Sequence, residues 1–168
     1  QTSLPDRHGY LNLGVSVDIV KAAVACASLV VAQVNPRMPR VPGDGFLHVD
    51  EVDYLVECDE PLLEYQPSVP DEVASRIGRY VARIVQDGDT IQVGYGSVPN
   101  AIMAALGRKK HLGLHSELLT DGIVDLIRRG VVDNSRKSVN RGKSVASFVM
   151  GSAATYEFID DNPTIELR

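Results

Sequence analysis

The sequence has no tryptophan, three phenylalanines and two cysteines. Without large aromatics its core must be built from Val, Ile, Leu and Ala, the residues of buried parallel strands and their covering helices. Cys26 and Cys58 form no CxxC pair and lie near no set of zinc ligands, which argues against a metal knuckle or a disulfide framework. They read as buried or half-buried free thiols of a reducing compartment. No apolar run approaches the ~20 residues that a membrane span needs. Residues 1–15 have no basic stretch followed by an apolar one, so no signal peptide is expected there. The longest basic run is Arg108-Lys109-Lys110 and the net charge is −5, so neither a nucleic-acid nor a membrane partner is expected. The expected protein is soluble and cytoplasmic.

What is present suits an α/β protein. The chain has 168 residues, 44% of them hydrophobic, which is enough for a core in one domain or two small ones. Residues 1–16 read as irregular, punctuated by Pro5, Gly9 and Gly14. Asp18–Ala27 has helical spacing, and Leu29–Val34 is a buried strand by its apolar run. Asn35–Gly45 carries three prolines and two glycines among its residues, so no regular element is expected. Its Arg37 and Arg40 could bind phosphate or carboxylate, or be solvated loop charges. A strand is expected at Tyr54–Cys58. Residues 61–71 are the best linker, rich in proline and without period.

Asp71 is a good N-cap for the next helix, with Glu72 in its first turn. That helix extends to about Gln86 and gathers Val73, Ile77, Tyr80, Val81 and Ile84 on one face. A strand at Thr90–Val93, the turn Gly94-Tyr95-Gly96, and a helix over Val98–Leu106 follow, with Pro99 in the helix's first turn. Strands at Leu112–His115 and Ser144–Met150 and helices at Ile123–Arg129 and Ala153–Ile159 complete the pattern. No closing element is expected after Pro163, and both ends of the chain read as truncated. The order from residue 71 onward is β-α-β-α-β, which favours a parallel sheet with right-handed crossovers. The fold expected is open α/β, with mostly parallel sheets and flanking helices.

Two stretches could carry chemistry. Glycines after a strand, in GYGSVPNA at 94–101, let the chain turn tightly and let a ligand approach the backbone. The helix that follows presents unpaired N–H groups to an anion or a developing oxyanion. A dinucleotide fingerprint would need glycine where Pro99 stands, and no Walker lysine follows. A plain connecting turn is the competing reading. The second stretch is HSELLTDG at 115–122. Glu117 follows an apolar strand and could act as a covalent nucleophile or a general base. It could equally cap a helix at 118–129, the reading that composition alone favours. Ser116 stands in no GxSxG elbow.

Taken together, SLPDRHGYLNLGVSVD, AQVNPRMPRVPGDGFLHVDEVDYLVECDEPL, QVGYGSVPNAIMAAL, HLGLHSELLTDGIVDLIRRGVV, GKSVASFVMGS and DDNP resemble the acetyl-CoA hydrolase/transferase family. The resemblance covers nearly the whole chain in order. It implies that Glu117, in the motif His115-Ser116-Glu117, is the nucleophile of a ping-pong CoA transfer through a glutamyl-CoA thioester. It implies that Gln92, Val93, Gly94, Tyr95 and Gly96 form the CoA-binding loop. It implies acyl-CoA and small carboxylates as substrates, no tightly bound cofactor or metal, and a homo-oligomer for the full-length form.

The resemblance also implies a parent of two related domains. Residues 1–60 would end the first, 61–71 would link them, and 72–168 would begin the second and carry the glutamate. The family's downstream glycine-rich GGxGGQ segment does not occur in this sequence, so the 168 residues alone are expected to have little CoA-transferase activity. An acyl-CoA hydrolase using the same glutamate, a non-catalytic α/β interaction module, and a sugar-phosphate isomerase on a related fold are the alternatives. The lack of a lysine near the glycine turn weighs against the last.

Overall fold

A computed structural model describes residues 1–168. In order the chain forms β1 (Tyr10–Asn12), α1 (Val20–Cys26), β2 (Val31–Val34), β3 (Phe46–His48), a 3-10 turn (Val49–Glu51) and β4 (Tyr54–Glu57). It continues with α2 (Glu72–Ile84), β5 (Thr90–Ile91), α3 (Ser97–Ala105), β6 (Gly113–Leu114), β7 (Leu118–Leu119) and α4 (Asp121–Arg128). It closes with β8 (Ser144–Ala146), β9 (Phe148–Val149), α5 (Ala153–Ile159) and β10 (Ile165–Leu167).

The strands pair as β1–β3, β2–β4, β5–β6, β7–β9 and β8–β10, and only β1–β3 is antiparallel. A parallel bridge between His115 and Val145 joins two of these pairs. As a result β5, β6, β8 and β10 run side by side in one direction, and their carboxyl ends share one edge. This is the mostly parallel α/β arrangement that the alternation of elements implies.

The main core unites both halves of the chain. Leu13, Val17, Val41 and Leu47 pack in one cluster with Leu112, Leu114, Leu119, Ile123, Leu126, Ile159, Ile165 and Leu167. Each fully buried Leu or Ile contributes about 2 kcal/mol relative to exposure. Two bridges, Ser16 to Phe148 and Gly43 to Leu167, extend the later strands with residues of the first half. Residues 61–71 hold no helix or strand and lie docked: Tyr65 N–H donates to Gly151 C=O (3.0 Å), and Tyr156 Oη donates to Leu63 C=O (2.7 Å).

Several expectations are corrected. β1 and β3 arise within stretches read as irregular or left without an element. Both are three-residue strands, too short to show a period of two. β10 forms beyond Pro163, because β8 offers it a parallel partner. The expected strand at Ser144–Met150 divides at Ser147 into β8 and β9, which pair with different neighbours. Asp71 does cap α2, its carboxylate accepting from Ala74 N–H (2.7 Å). The apolar face read on α2 is not its buried one, however. Val73, Tyr80 and Ile84 are 63%, 58% and 76% exposed, whereas the small residues Ala74 and Gly78 are buried. Cys26 is exposed and Cys58 half-buried, and both are free thiols. No helix is long and apolar enough to cross a membrane.

Candidate active site

The site grows out of the shared carboxyl edge of β5, β6, β8 and β10. A cavity of about 510 Å³ opens there. Its lining includes the residue after β5 (Gln92), those after β6 (His115, Ser116 and Glu117), the last residue of β8 and the one after it (Ala146 and Ser147), and the residue after β10 (Arg168). Open α/β sheets place ligands in this crevice outside the carboxyl ends of their strands.

Glu117 is exposed, and its carboxylate has no hydrogen bond or ion pair within the chain. Its backbone, by contrast, is fixed. Glu117 C=O accepts from Ser147 N–H (2.9 Å) and Phe148 N–H (3.1 Å). The capping role that composition favoured is overturned, because β7 intervenes and α4 starts only at Asp121, with Thr120 at the N-cap. What remains is a carboxylate on a rigid support, facing an open cavity.

Ser116 is buried and does what its sequence context did not suggest. Its N–H donates to Val145 C=O (2.9 Å). Its Oγ accepts from Val93 N–H (2.9 Å) and donates to Val93 C=O (2.9 Å). One hydroxyl thereby ties the stretch after β6 to the stretch after β5. His115 is exposed, and its ring makes no hydrogen bond in the chain. Its main chain is paired, N–H to Ile91 C=O (3.1 Å).

The glycine turn divides in two. Gln92 shares the cavity with Glu117, and Val93 is buried behind it, 5% exposed. Gly94, Tyr95 and Gly96 run on to α3 without lining that cavity. Their three N–H groups have no acceptor in the chain. Gly96 is the N-cap of α3 at φ 125° and ψ −176° and supplies no side-chain cap, so the first-turn amides of α3 are open to a ligand as well. The Tyr95 ring leans on Tyr65, centroids 5.1 Å apart at 44°.

Sequence reasoning missed part of the support. Lys137 is buried beneath β6, and its Nζ donates to Leu114 C=O (2.6 Å) and Lys143 C=O (2.7 Å). Burial pushes its ammonium below the usual lysine range, opposed by the nearby Glu166 carboxylate. Asn134 Oδ1 accepts from Leu114 N–H (2.9 Å), and its Nδ2 donates to Ser144 Oγ (2.9 Å). Together they set the last residue of β6, two positions before Ser116. Arg168 is the one cation on the cavity wall, with Nη2 held 2.8 Å from Glu166. None of these carries a local motif, and only the strand pairing brings them in.

Arg37 and Arg40 do not join this site. Arg37 pairs with Asp59 at 2.6 Å. Arg40 pairs with Asp6 at 3.2 Å and donates to Ser3 Oγ, Leu4 C=O and Tyr10 C=O, so it braces the N-terminal segment. No group of His, Cys, Asp and Glu could hold a metal ion.

Residues 1–64 match the profile of the acetyl-CoA hydrolase/transferase N-terminal domain. The chain is 45% identical over 166 residues to a 4-hydroxybutyrate coenzyme A transferase of Clostridium kluyveri, covering 99% of this chain and 39% of that protein. It is 47% identical over 165 residues to a succinyl-CoA:cyclohexane-1-carboxylate CoA transferase of Geobacter metallireducens, covering 97% of this chain and 37% of that one. The fold superposes on the crystal structure of a 4-hydroxybutyrate CoA-transferase from Porphyromonas gingivalis with a TM-score of 0.96 at 40% identity, covering all of this chain and 43% of that one. The chain thus spans well under half the length of these relatives.

Proposed function

We propose, for a chain that belongs to the acetyl-CoA hydrolase/transferase family, that it carries the nucleophile of an acyl-CoA:carboxylate CoA-transferase. Residues 1–60 would close a first domain, 61–71 would cross over, and 72–168 would begin the domain bearing Glu117. The observation that supports this best is the exposed, unpaired Glu117 carboxylate at the edge where four parallel strands end.

The chemistry then runs in four balanced steps. A carboxylate oxygen of Glu117 attacks the thioester carbonyl of an acyl-CoA, and CoA leaves as thiolate from a mixed anhydride. The thiolate attacks the Glu117 carbonyl and expels the acyl group as its free carboxylate, leaving a glutamyl-CoA thioester. The acceptor carboxylate attacks that thioester and again releases CoA thiolate. The thiolate takes the new acyl group and returns Glu117 to its starting state. Each addition builds an oxyanion, and the free N–H groups of Gly94, Tyr95 and Gly96 suit such a charge or the CoA chain. Coenzyme A would be a substrate here, with no resident cofactor. Acceptors in the class of short carboxylates fit the 4-hydroxybutyrate named for one relative.

The test is trapping in the full-length protein. After incubation with an acyl-CoA, hydroxylamine or borohydride should mark Glu117 by mass spectrometry. Glu117→Ala should lower turnover on the order of 10³-fold or more. An unmarked Glu117 together with an active Glu117→Ala protein would remove the mechanism. Turnover independent of added acetate would instead point to hydrolysis by the same glutamate.

A further inference from the structure

We propose that Ser116 is a positioning residue that holds the glycine turn in its ligand-binding orientation, an inference that rests on the assignment of Glu117 as nucleophile. Three observations carry it. First, Ser116 is buried and its hydroxyl makes two hydrogen bonds, both to one residue, accepting from Val93 N–H and donating to Val93 C=O, each at 2.9 Å. Second, the C=O and the following N–H of a trans peptide point in opposite directions. Because Val93 C=O faces Ser116 in the interior, Gly94 N–H is turned outward, and it has no acceptor in the chain. Third, Ser116 is itself pinned to β8 through Val145 C=O, while the next residue, Glu117, is pinned to Ser147 and Phe148. The hydroxyl is therefore a short rigid strut between the nucleophile's backbone and the free amides.

Without the hydroxyl, Val93 keeps a buried N–H and C=O with no partner. Buried backbone groups are rarely left so. The Val93–Gly94 peptide can recover a partner by rotating, and rotation carries Gly94 N–H away from the solvent face. With glycine at 94 and 96, the turn offers little steric resistance to that rotation. The amides would then no longer be preorganised for the charge that builds on the acyl or glutamyl carbonyl. The loss should fall on the chemical step more than on substrate binding.

The experiment uses the full-length protein with three substitutions, Ser116→Ala, Ser116→Cys and Ser116→Thr, and compares kcat, KM for acyl-CoA, and the trapped adduct on Glu117. Ser116→Ala and Ser116→Cys are expected to lose about tenfold to a hundredfold in kcat, with KM changed less than kcat, as when an oxyanion donor is weakened. Ser116→Thr keeps the hydroxyl and is expected to recover most of the rate. Amide hydrogen exchange over residues 91–97 should quicken in Ser116→Cys and stay near wild type in Ser116→Thr. Cysteine nearly matches serine in size, so this pair remains informative if Ser116→Ala fails to fold. Wild-type kcat in Ser116→Cys, or a rate in Ser116→Thr as low as in Ser116→Cys, overturns the proposal. If the wild-type adduct forms on Glu117 in that same experiment, the assignment of the nucleophile survives and only the strut is lost. If wild type shows no adduct and Glu117→Ala keeps its activity, both fall together.

Discussion

Gly78 of α2 lies against the Ala101 peptide of α3: a Cβ at position 78 would stand 2.6 Å from Ala101 O and 3.0 Å from Ile102 N. The two helices meet through small residues, with Ala74 and Gly78 buried on α2 and Ala101 buried on α3. Backbone thus touches backbone, and α3 is the helix whose N-terminus follows the glycine turn.

Alanine at position 78 should therefore act against its own propensity. On an exposed helix Gly→Ala gains roughly 1 kcal/mol. Here the added methyl meets main chain, which cannot swing aside, and overpacking costs about 1–3 kcal/mol. Gly78→Ala in the full-length protein is expected to lower Tm. A rise in Tm would mean that the α2–α3 contact is looser than the geometry states.

Gly96 gives a second test, on function more than on stability. At φ 125° and ψ −176° it adopts a backbone conformation closed to side chains. Space is not the obstacle, since a Cβ would meet only Pro99 Cδ at 4.0 Å. Gly96→Ala should cost about 1–3 kcal/mol through strain alone. The turn can relieve that strain by changing the direction of its amides, so KM for acyl-CoA should rise as well. The check is paired: Tm and acyl-CoA kinetics on the same preparation. Unchanged values for both would show that the turn is not held in this conformation.

How much of this was legible in the sequence depends on what set each element. α5 falls on Ala153–Ile159 as its residues imply, and Asp71 starts α2, because both signals are local. The glycine turn and Glu117 were legible as a pair because both follow strands, and β5 and β6 are parallel neighbours. The buried face of α2 was not legible. Close approach selected Gly78 and Ala74, while apolar size marked the opposite face, which lies exposed. Ser116, Lys137 and Asn134 were not legible as a support either, since their partners Val93, Leu114, Lys143 and Ser144 are assembled only by sheet pairing. β1, β3 and β10 are three-residue strands defined by their partners, and no residue pattern of their own announces them.

Asp121 makes a prediction about pH. It stands at the first position of α4, and its Oδ1 accepts from Ser152 N–H (3.0 Å), Ser152 Oγ (2.8 Å) and Thr155 Oγ1 (2.5 Å), which ties the start of α5 to the start of α4. Burial alone would raise its pKa, but the bonds from Thr155 and Ser152 outweigh burial and hold it below the ordinary 3.8. A carboxyl with a depressed folded-state pKa is ionised more readily in the folded chain than in the unfolded one. Its contribution is therefore complete well above 3.8 and is lost as the pH falls below 3.8 towards the folded-state value. Asp121→Asn keeps an acceptor but removes the charge, and hydrogen bonds to a charged group exceed neutral ones by roughly 1 kcal/mol. The variant should be less stable than wild type by about 1–2 kcal/mol at neutral pH in denaturant melts of the full-length protein. Its deficit should shrink as the pH is lowered through and below 3.8. A deficit that stays constant down to acid pH would show that the Asp121 charge is not what joins the two helix starts.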